Sequence, residues 1–254
     1  MRTTVAAVGV TRLVSVLPAG EGCLFLDFGN VIDMEVNGRV QAVKRALEGR
    51  PFVGLVELVP SYRSLAVYFD PIATDVPALR EALARLASET AALPAEGGTV
   101  LRLPVCYGGD YGPDMGNVTS HTGLSEADVV ARHTGRDLYC YMLGFLPGFA
   151  YLGGMDESLA TPRLTTPRKR IEPGSVGIAG RQTGAYSVAS PGGWQIIGRT
   201  PVRLYDPDRS PAAAIQAGFW VRYYAVTAEE YGRIARQVQA GAYQLELGKR
   251  GSGE

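Results

Sequence analysis

The chain has 254 residues, with 25 Lys/Arg against 25 Asp/Glu and a formal charge of zero. That length holds one large domain or two ordinary ones with real cores, and the charge balance argues against a nucleic-acid backbone as main partner. No apolar run approaches the ~20 residues a bilayer needs, and the opening MRTTVAAVGVTRL breaks at Thr11-Arg12, too early for a signal peptide.

In chain order, Gly22–Phe28 reads as a strand, and Asp33 caps a helix with Val36, Val40, Val43 and Leu47 on one face. Phe52–Val59 and Ser64–Phe69 are β runs joined by a turn at 60–63. Asp75 caps a second helix, with Pro77 in its first turn and a stripe of Val76, Leu79, Leu83 and Leu86. With the strand Thr99–Tyr107 the order becomes βαββαβ, that of a ferredoxin-like unit. The Ala/Gly/Pro-rich stretch 90–98 is the expected link, so the expected domains are 1–95 and 96–247, with 248–254 as a disordered tail. In the second domain Ser125 opens a short helix and Thr227, through Thr-x-x-Glu, a C-terminal one. Between them lie short β segments at Leu138–Phe145, Ser175–Ala179, Gln195–Ile197, Val202–Tyr205 and Phe219–Tyr224. The expected class is α+β, a small α/β domain followed by a β-barrel. Cys23, Cys106 and Cys140 fall in apolar, strand-like runs, as buried free thiols of a reducing cytoplasm do.

The stretch Gly144–Asp206 is the most informative. It holds eleven glycines and six prolines, too much punctuation for helices, and implies shaped loops of the kind that carry function. From Thr161 to Asp206 there are seven cations (Arg163, Arg168, Lys169, Arg170, Arg181, Arg199, Arg203) against Glu172 and Asp206. A small anionic ligand, a carboxylate or phosphate, is the expectation. No P-loop and no G-x-S-x-G elbow occurs. The two histidines, His121 and His133, stand in no metal-ligand spacing with cysteine, so no metal site is expected.

Each candidate has a structural alternative. Asp110, in the loop Tyr107–Asp114, is either a turn cap or an acid/base group. His121 either caps and packs or acts as a general base. His133, near the end of a helix, suits the dipole and is given no chemistry. Phe145, Phe149 and Tyr151 are either core or the wall of a pocket. Arg168-Lys169-Arg170 is either a solvated face or, braced by Pro167 and Pro173, an anion site. Gln182 and Thr183, with Ser190, Gly192, Gly193 and Trp194, sit on glycine-bounded stretches read as turns, where free N–H and hydroxyl donors could form an oxyanion site. Tyr186, Arg168, Arg170 and Arg199 complete the substrate-binding set.

Taken together, the motifs resemble the PxpB/KipI family of 5-oxoprolinase subunits, also described as allophanate hydrolase subunit 1. The resemblance rests on Glu57–Ser64, Tyr68–Pro71, Tyr107–Asp114, His121–Ser125, Met142–Gly154, Thr161–Arg163, Pro173–Gly180, Gln182–Gly184, Ser190–Trp194, Gly198–Pro201 and Asp206–Pro207. It implies a cyclophilin-like barrel behind the small α/β domain. It also implies ATP with Mg²⁺ at a site shared with a PxpC/KipA-type subunit, cooperation with a PxpA-type subunit, and opening of 5-oxo-L-proline to L-glutamate. Two other roles are implied by relatives: inhibition of a sensor histidine kinase, and carboxyl transfer as in urea carboxylase. Three positions depart from the pattern: Asp110 for a usual Glu, Arg181 for a Gly, and Ser187 for a Pro. Of the cations, Arg168 is expected to matter more to activity than Arg163.

Overall fold

The computed structural model describes residues 14–91 and 98–251, which fall in two units, Met1–Ala95 and Glu96–Glu254. In the first, β1 (Ser15–Pro18), β2 (Cys23–Asp27), α1 (Met34–Gly49), β3 (Leu55–Pro60), β4 (Ser64–Phe69) and α2 (Val76–Glu89) follow one another. Alternation along β2 and β4 buries Leu24, Leu26, Leu65 and Val67 in one cluster with Val36, Val40 and Val43 of α1 and Leu79 and Leu83 of α2. The helix starts are where their caps place them. Asp33 accepts the Val36 N–H at 2.7 Å and Asp75 the Ala78 N–H at 3.1 Å.

The strands pair antiparallel in the order β1-β2-β4-β3. The expected order βαββαβ is therefore corrected to ββαββα. The fourth strand comes from before the first expected one, with Val16 opposite Leu26. Thr99–Tyr107 belongs to the second unit, where both its edges find partners and Leu101, Leu103 and Val105 are fully buried.

That strand, β5 (Thr99–Tyr107), leads into α3 (Met115–Thr122) and α4 (Glu126–Thr134). Nine further strands follow: β6 (Leu138–Leu143), β7 (Ala150–Gly153), β8 (Arg168–Ile171), β9 (Ser175–Ala179), β10 (Gln182–Ala185), β11 (Ser190–Gly192), β12 (Gln195–Arg199), β13 (Trp220–Ala225) and β14 (Glu246–Lys249). Helix α5 (Ala228–Gln239) stands before the last of them, opened by a complete Thr227/Glu230 capping box. Seven strands form a closed ring, β5-β13-β6-β7-β10-β9-β12, and Gly198 opposite Tyr107 joins its ends. Closure removes open edges, which a sheet this rich in buried apolar side chains needs. Its interior is filled by Leu103, Leu138, Leu152, Val176, Ile178 and Ile197. Strands β8 and β11 form a separate two-stranded ribbon.

Three further expectations are corrected. The disordered tail does not begin at Gly248, because β14 pairs Gly248 with Val100 and Lys249 with Thr99; residues 252–254 lie outside the described residues. Val202–Tyr205 forms no strand and contributes only the bridge between Tyr205 and Ala213. Gln182–Ala185 and Arg168–Ile171 are strands rather than loops. Cys23, Cys106 and Cys140 are free and buried. Among the described residues no helix is long and apolar enough to cross a membrane.

The loop after β5 lies directly on β12. Gly108 donates to the Ile197 carbonyl at 3.0 Å, and a Cβ on Gly112 would stand 2.1 Å from that carbonyl oxygen. Gly116, one turn on in α3, has open space around it. Gly112→Ala is expected to lower unfolding free energy by about 1–3 kcal/mol through overpacking. Gly116→Ala is expected to raise it by about 0.5–1 kcal/mol through helix propensity. Urea melts of the two variants check the opposite signs.

Candidate functional site

The loop between β6 and β7 is tightly folded. Gly144 donates to the Phe149 carbonyl at 3.0 Å and Phe149 to that of Leu146 at 3.1 Å. The Ser187 hydroxyl donates to the Pro147 carbonyl at 2.6 Å and so ties this loop to the segment after β10. Within the loop, Phe145 takes φ +63°, the one non-glycine residue with positive φ among the described residues, and is 66% exposed. Such strain costs roughly 1–3 kcal/mol and gathers at functional sites.

Phe149 points inward and organises a box of rings. Trp194 and Tyr186 each meet it edge-to-face at 5.6 Å, and Tyr151 at 5.4 Å. Edge-to-face contacts each add about 0.5–1.5 kcal/mol beyond burial. Beside the box is a pocket of about 200 Å³. Phe145, Phe149, Tyr151, Tyr186 and Trp194 form its apolar wall, while Gly192 and Gly193 bring backbone to it. A Cβ on Gly192 would fall 2.4 Å from the Tyr186 hydroxyl, so glycine is required for that approach. The remaining lining side chain is Arg163, exposed and with no ion-pair partner among the described residues. Desolvation pushes the Tyr186 phenol up to about 12, against the opposing influence of Arg163, a Trp194 backbone hydrogen bond and Arg168. It is a neutral hydroxyl at any working pH.

A model of the carboxyltransferase domain, subdomain C and D, matches residues 14–215. The sequence is 39% identical over 222 residues to the B-type subunit of the Bacillus subtilis 5-oxoprolinase, covering 84% of this chain and 92% of that one. The chain belongs to the family of B-type 5-oxoprolinase subunits. Among solved structures, TTHA0988 superposes with a TM-score of 0.71 at 35% identity, over 81% of this chain and only 40% of that longer one. The urea amidolyase of K. lactis gives a TM-score of 0.71 over 93% of this chain and 16% of its own, at 20% identity, which is a likeness of fold alone.

In this member of the family the predicted site residues separate into two groups. Phe145, Tyr151, Tyr186, Gly192, Gly193 and Trp194 converge on the pocket. The others do not line it. Asp110 is exposed on the short 3₁₀ turn Gly109–Tyr111, and His121 is exposed in the last turn of α3. Arg170 is held by Glu172 through both nitrogens, at 2.6 and 3.3 Å. Arg199 donates to the Pro173 carbonyl at 3.2 Å, and Ser190 is buried with its hydroxyl on the Pro191 carbonyl at 3.2 Å.

Gln182 and Thr183 do not stand on turns. They lie in β10, where the ladder with β9 competes for the backbone groups that a turn would have left free. Gln182 is half-buried. The Thr183 hydroxyl is fully buried and donates to the Gly177 carbonyl at 3.0 Å. It therefore accepts from His133 Nε2 at 2.7 Å, which fixes the neutral tautomer and leaves Nδ1 to accept the Tyr107 hydroxyl proton at 2.8 Å. Burial pushes Tyr107 up, consistent with that donor role. His133, assigned no chemistry from sequence, thus joins α4, β5 and β10 through a satisfied polar chain, and its ring stacks on Tyr223 at 4.8 Å.

The cation Arg168 also has a partner within the protein. Its guanidinium meets Asp114 Oδ1 at 2.6 Å and the Trp194 carbonyl at 3.5 Å, facing protein rather than the pocket. The Asp114 side chain is 5% exposed and Arg168 32%. Asp114 Oδ2 also accepts the Ile196 N–H at 2.7 Å. Read as a turn residue, Asp114 is a structural anchor, and nothing in the local pattern reveals a partner 54 positions away.

Among the described residues no group of three or more His, Cys, Asp and Glu side chains could hold a metal ion.

Two outcomes follow for stability. Arg168→Ala strands a buried carboxylate and is expected to cost about 2–4 kcal/mol, below the full penalty of a completely buried pair because Arg168 is partly solvated. Arg163→Ala is expected to cost less than about 0.5 kcal/mol, and denaturant melts of both variants decide. Burial also lowers His133 to about 3, whereas the unfolded chain protonates it near ~6.5. Between these values the unfolded state binds the extra proton, so stability falls as pH drops through that window. His133→Gln is expected to flatten the fall between pH 6 and 4 by up to about 1.4 kcal/mol per pH unit, measured by urea midpoints.

Proposed function

We propose that the chain is the PxpB-type subunit of an ATP-dependent 5-oxoprolinase, acting with a PxpC/KipA-type subunit and a PxpA-type subunit to open 5-oxo-L-proline to L-glutamate. The observation that carries this reading is the match to the Bacillus subtilis 5-oxoprolinase subunit across 92% of that chain, and the aromatic and glycine motifs of this chain converge on one pocket. A lactam resists attack because amide resonance stabilises it. Phosphorylation of its oxygen would make the ring carbon reactive toward water, and enzymes accelerate such transfers by positioning and charge stabilisation. The role of this chain is to hold the lactam.

ATP does not fit this pocket. Its ~200 Å³ falls below the roughly 300–1,000 Å³ of clefts for drug-sized ligands. It also presents a single cation and no carboxylate to carry Mg²⁺. This reading therefore takes ATP with Mg²⁺ to bind at a site completed by the partner. Carboxyl transfer is the second reading, favoured by the description of the matching family model. Against it stands the weaker identity to urea amidolyase, 24% against 39% for the Bacillus subtilis subunit.

The purified chain alone is expected to show no 5-oxoproline-dependent phosphate release. Reconstitution with its two partners should give 5-oxoproline-dependent release with stoichiometric glutamate. Turnover by the single chain would overturn the partner dependence. A complete set that binds together but never consumes 5-oxoproline would overturn the assignment.

A further inference from the structure

We propose that the pocket beside Trp194 is a site for a small cyclic monocarboxylate, and that Arg163 is the residue that pairs with its carboxylate, while Arg168 acts only by positioning the wall. This deepens the oxoprolinase reading and rests on it for the identity of the natural ligand. Four observations support the site.

The first is charge. Of the seven cations between Thr161 and Asp206, Arg168, Arg170, Arg181 and Arg203 are each bound to a carboxylate, of Asp114, Glu172, Glu157 and Asp206 respectively, and neither Lys169 nor Arg199 lines the cavity. Arg163 lines the cavity without such a partner among the described residues, and no acid lines the cavity with it. One unmatched cation selects a monoanion, and a planar guanidinium suits the two oxygens of a carboxylate.

The second is shape. A cavity of about 200 Å³ walled by Phe149, Tyr186 and Trp194 accepts a compact, flat, largely apolar body. The third is polarity. Tyr186 is 1% exposed yet lines the cavity, and its phenol stays protonated, so it offers a neutral hydroxyl to a ring carbonyl or N–H. The fourth is preorganisation. Gly192 permits the close approach to Tyr186, and Arg168 reaches the Trp194 carbonyl from its anchor on Asp114, so the wall is built before any ligand arrives.

The test uses the full chain with Trp220→Phe, which leaves Trp194 as the one tryptophan reporter of the two in the sequence. Titrate 5-oxo-L-proline, 2-pyrrolidinone (the ring without the carboxylate) and propionate (a carboxylate without the ring). The expected result is saturable quenching by 5-oxo-L-proline, with each fragment at least about tenfold weaker. Arg163→Gln should weaken 5-oxo-L-proline about tenfold, the lower end for a charge-assisted contact because Arg163 is exposed, and leave 2-pyrrolidinone unchanged. Equal binding of 5-oxo-L-proline to wild type and Arg163→Gln would overturn the proposal.

The same variant in the reconstituted complex should raise KM for 5-oxo-L-proline about tenfold with kcat nearly kept. That arm decides if the isolated chain does not bind. An unchanged KM there overturns the pocket while leaving the oxoprolinase reading intact. Tight, Arg163-dependent binding by a complex that never turns 5-oxo-L-proline over overturns that reading and leaves the pocket standing.

Discussion

A carboxylate removed from water must be met by charge and hydrogen bonds, and Asp114 is the residue of the second unit under that demand. Its two oxygens are met by the Arg168 guanidinium and the Ile196 N–H, at 2.6 and 2.7 Å. Its own N–H returns a bond to the Ile196 carbonyl at 2.9 Å. Three pieces of chain far apart in sequence are thereby fixed: the loop after β5, the start of β8 and the head of β12. Leaving any of these groups unmatched would cost several kcal/mol, because the alternative is a buried unpaired ion. Trp194 sits between the two contacts, its carbonyl on Arg168 and its successors in β12, and so the pocket inherits its rigidity from a charge that never touches a ligand.

The barrel interior uses the same economy of polar groups. Tyr107, His133, Thr183 and Gly177 form one directed chain in which each donor finds one acceptor. Such a chain specifies strand placement more sharply than apolar packing alone, since a slip of one residue would leave every member unsatisfied. The histidine is neutral because it is buried, and its value to the fold lies in that neutrality.

Much of the fold was legible in the chain because its signals are local. Asp33, Asp75 and Thr227 announce helix starts within four residues, and each does cap its helix. Six of the predicted ligand-contacting positions also converge, since aromatics bracketed by glycine are scarce outside shaped loops. What was illegible depends on distant partners. β1 is four residues long and largely exposed, and β8 opens with three cations, so neither shows an apolar period. Gln182 and Thr183 look like turn donors until β9 takes their backbone into a ladder. The sequence sets Arg168 apart from Arg163 by the prolines that brace its loop, Pro167 and Pro173. Only the fold shows that one faces protein and the other the cavity.

The central claim is that the pocket, not the cationic ribbon beside it, receives the ligand. A crystal structure of the chain, alone or with its partner, grown with 5-oxo-L-proline tests this most directly. The account predicts ring density against Trp194 with its carboxylate on Arg163 and the Asp114–Arg168 pair undisturbed. Density held by Arg168 and Arg170, with the aromatic pocket empty, would contradict it.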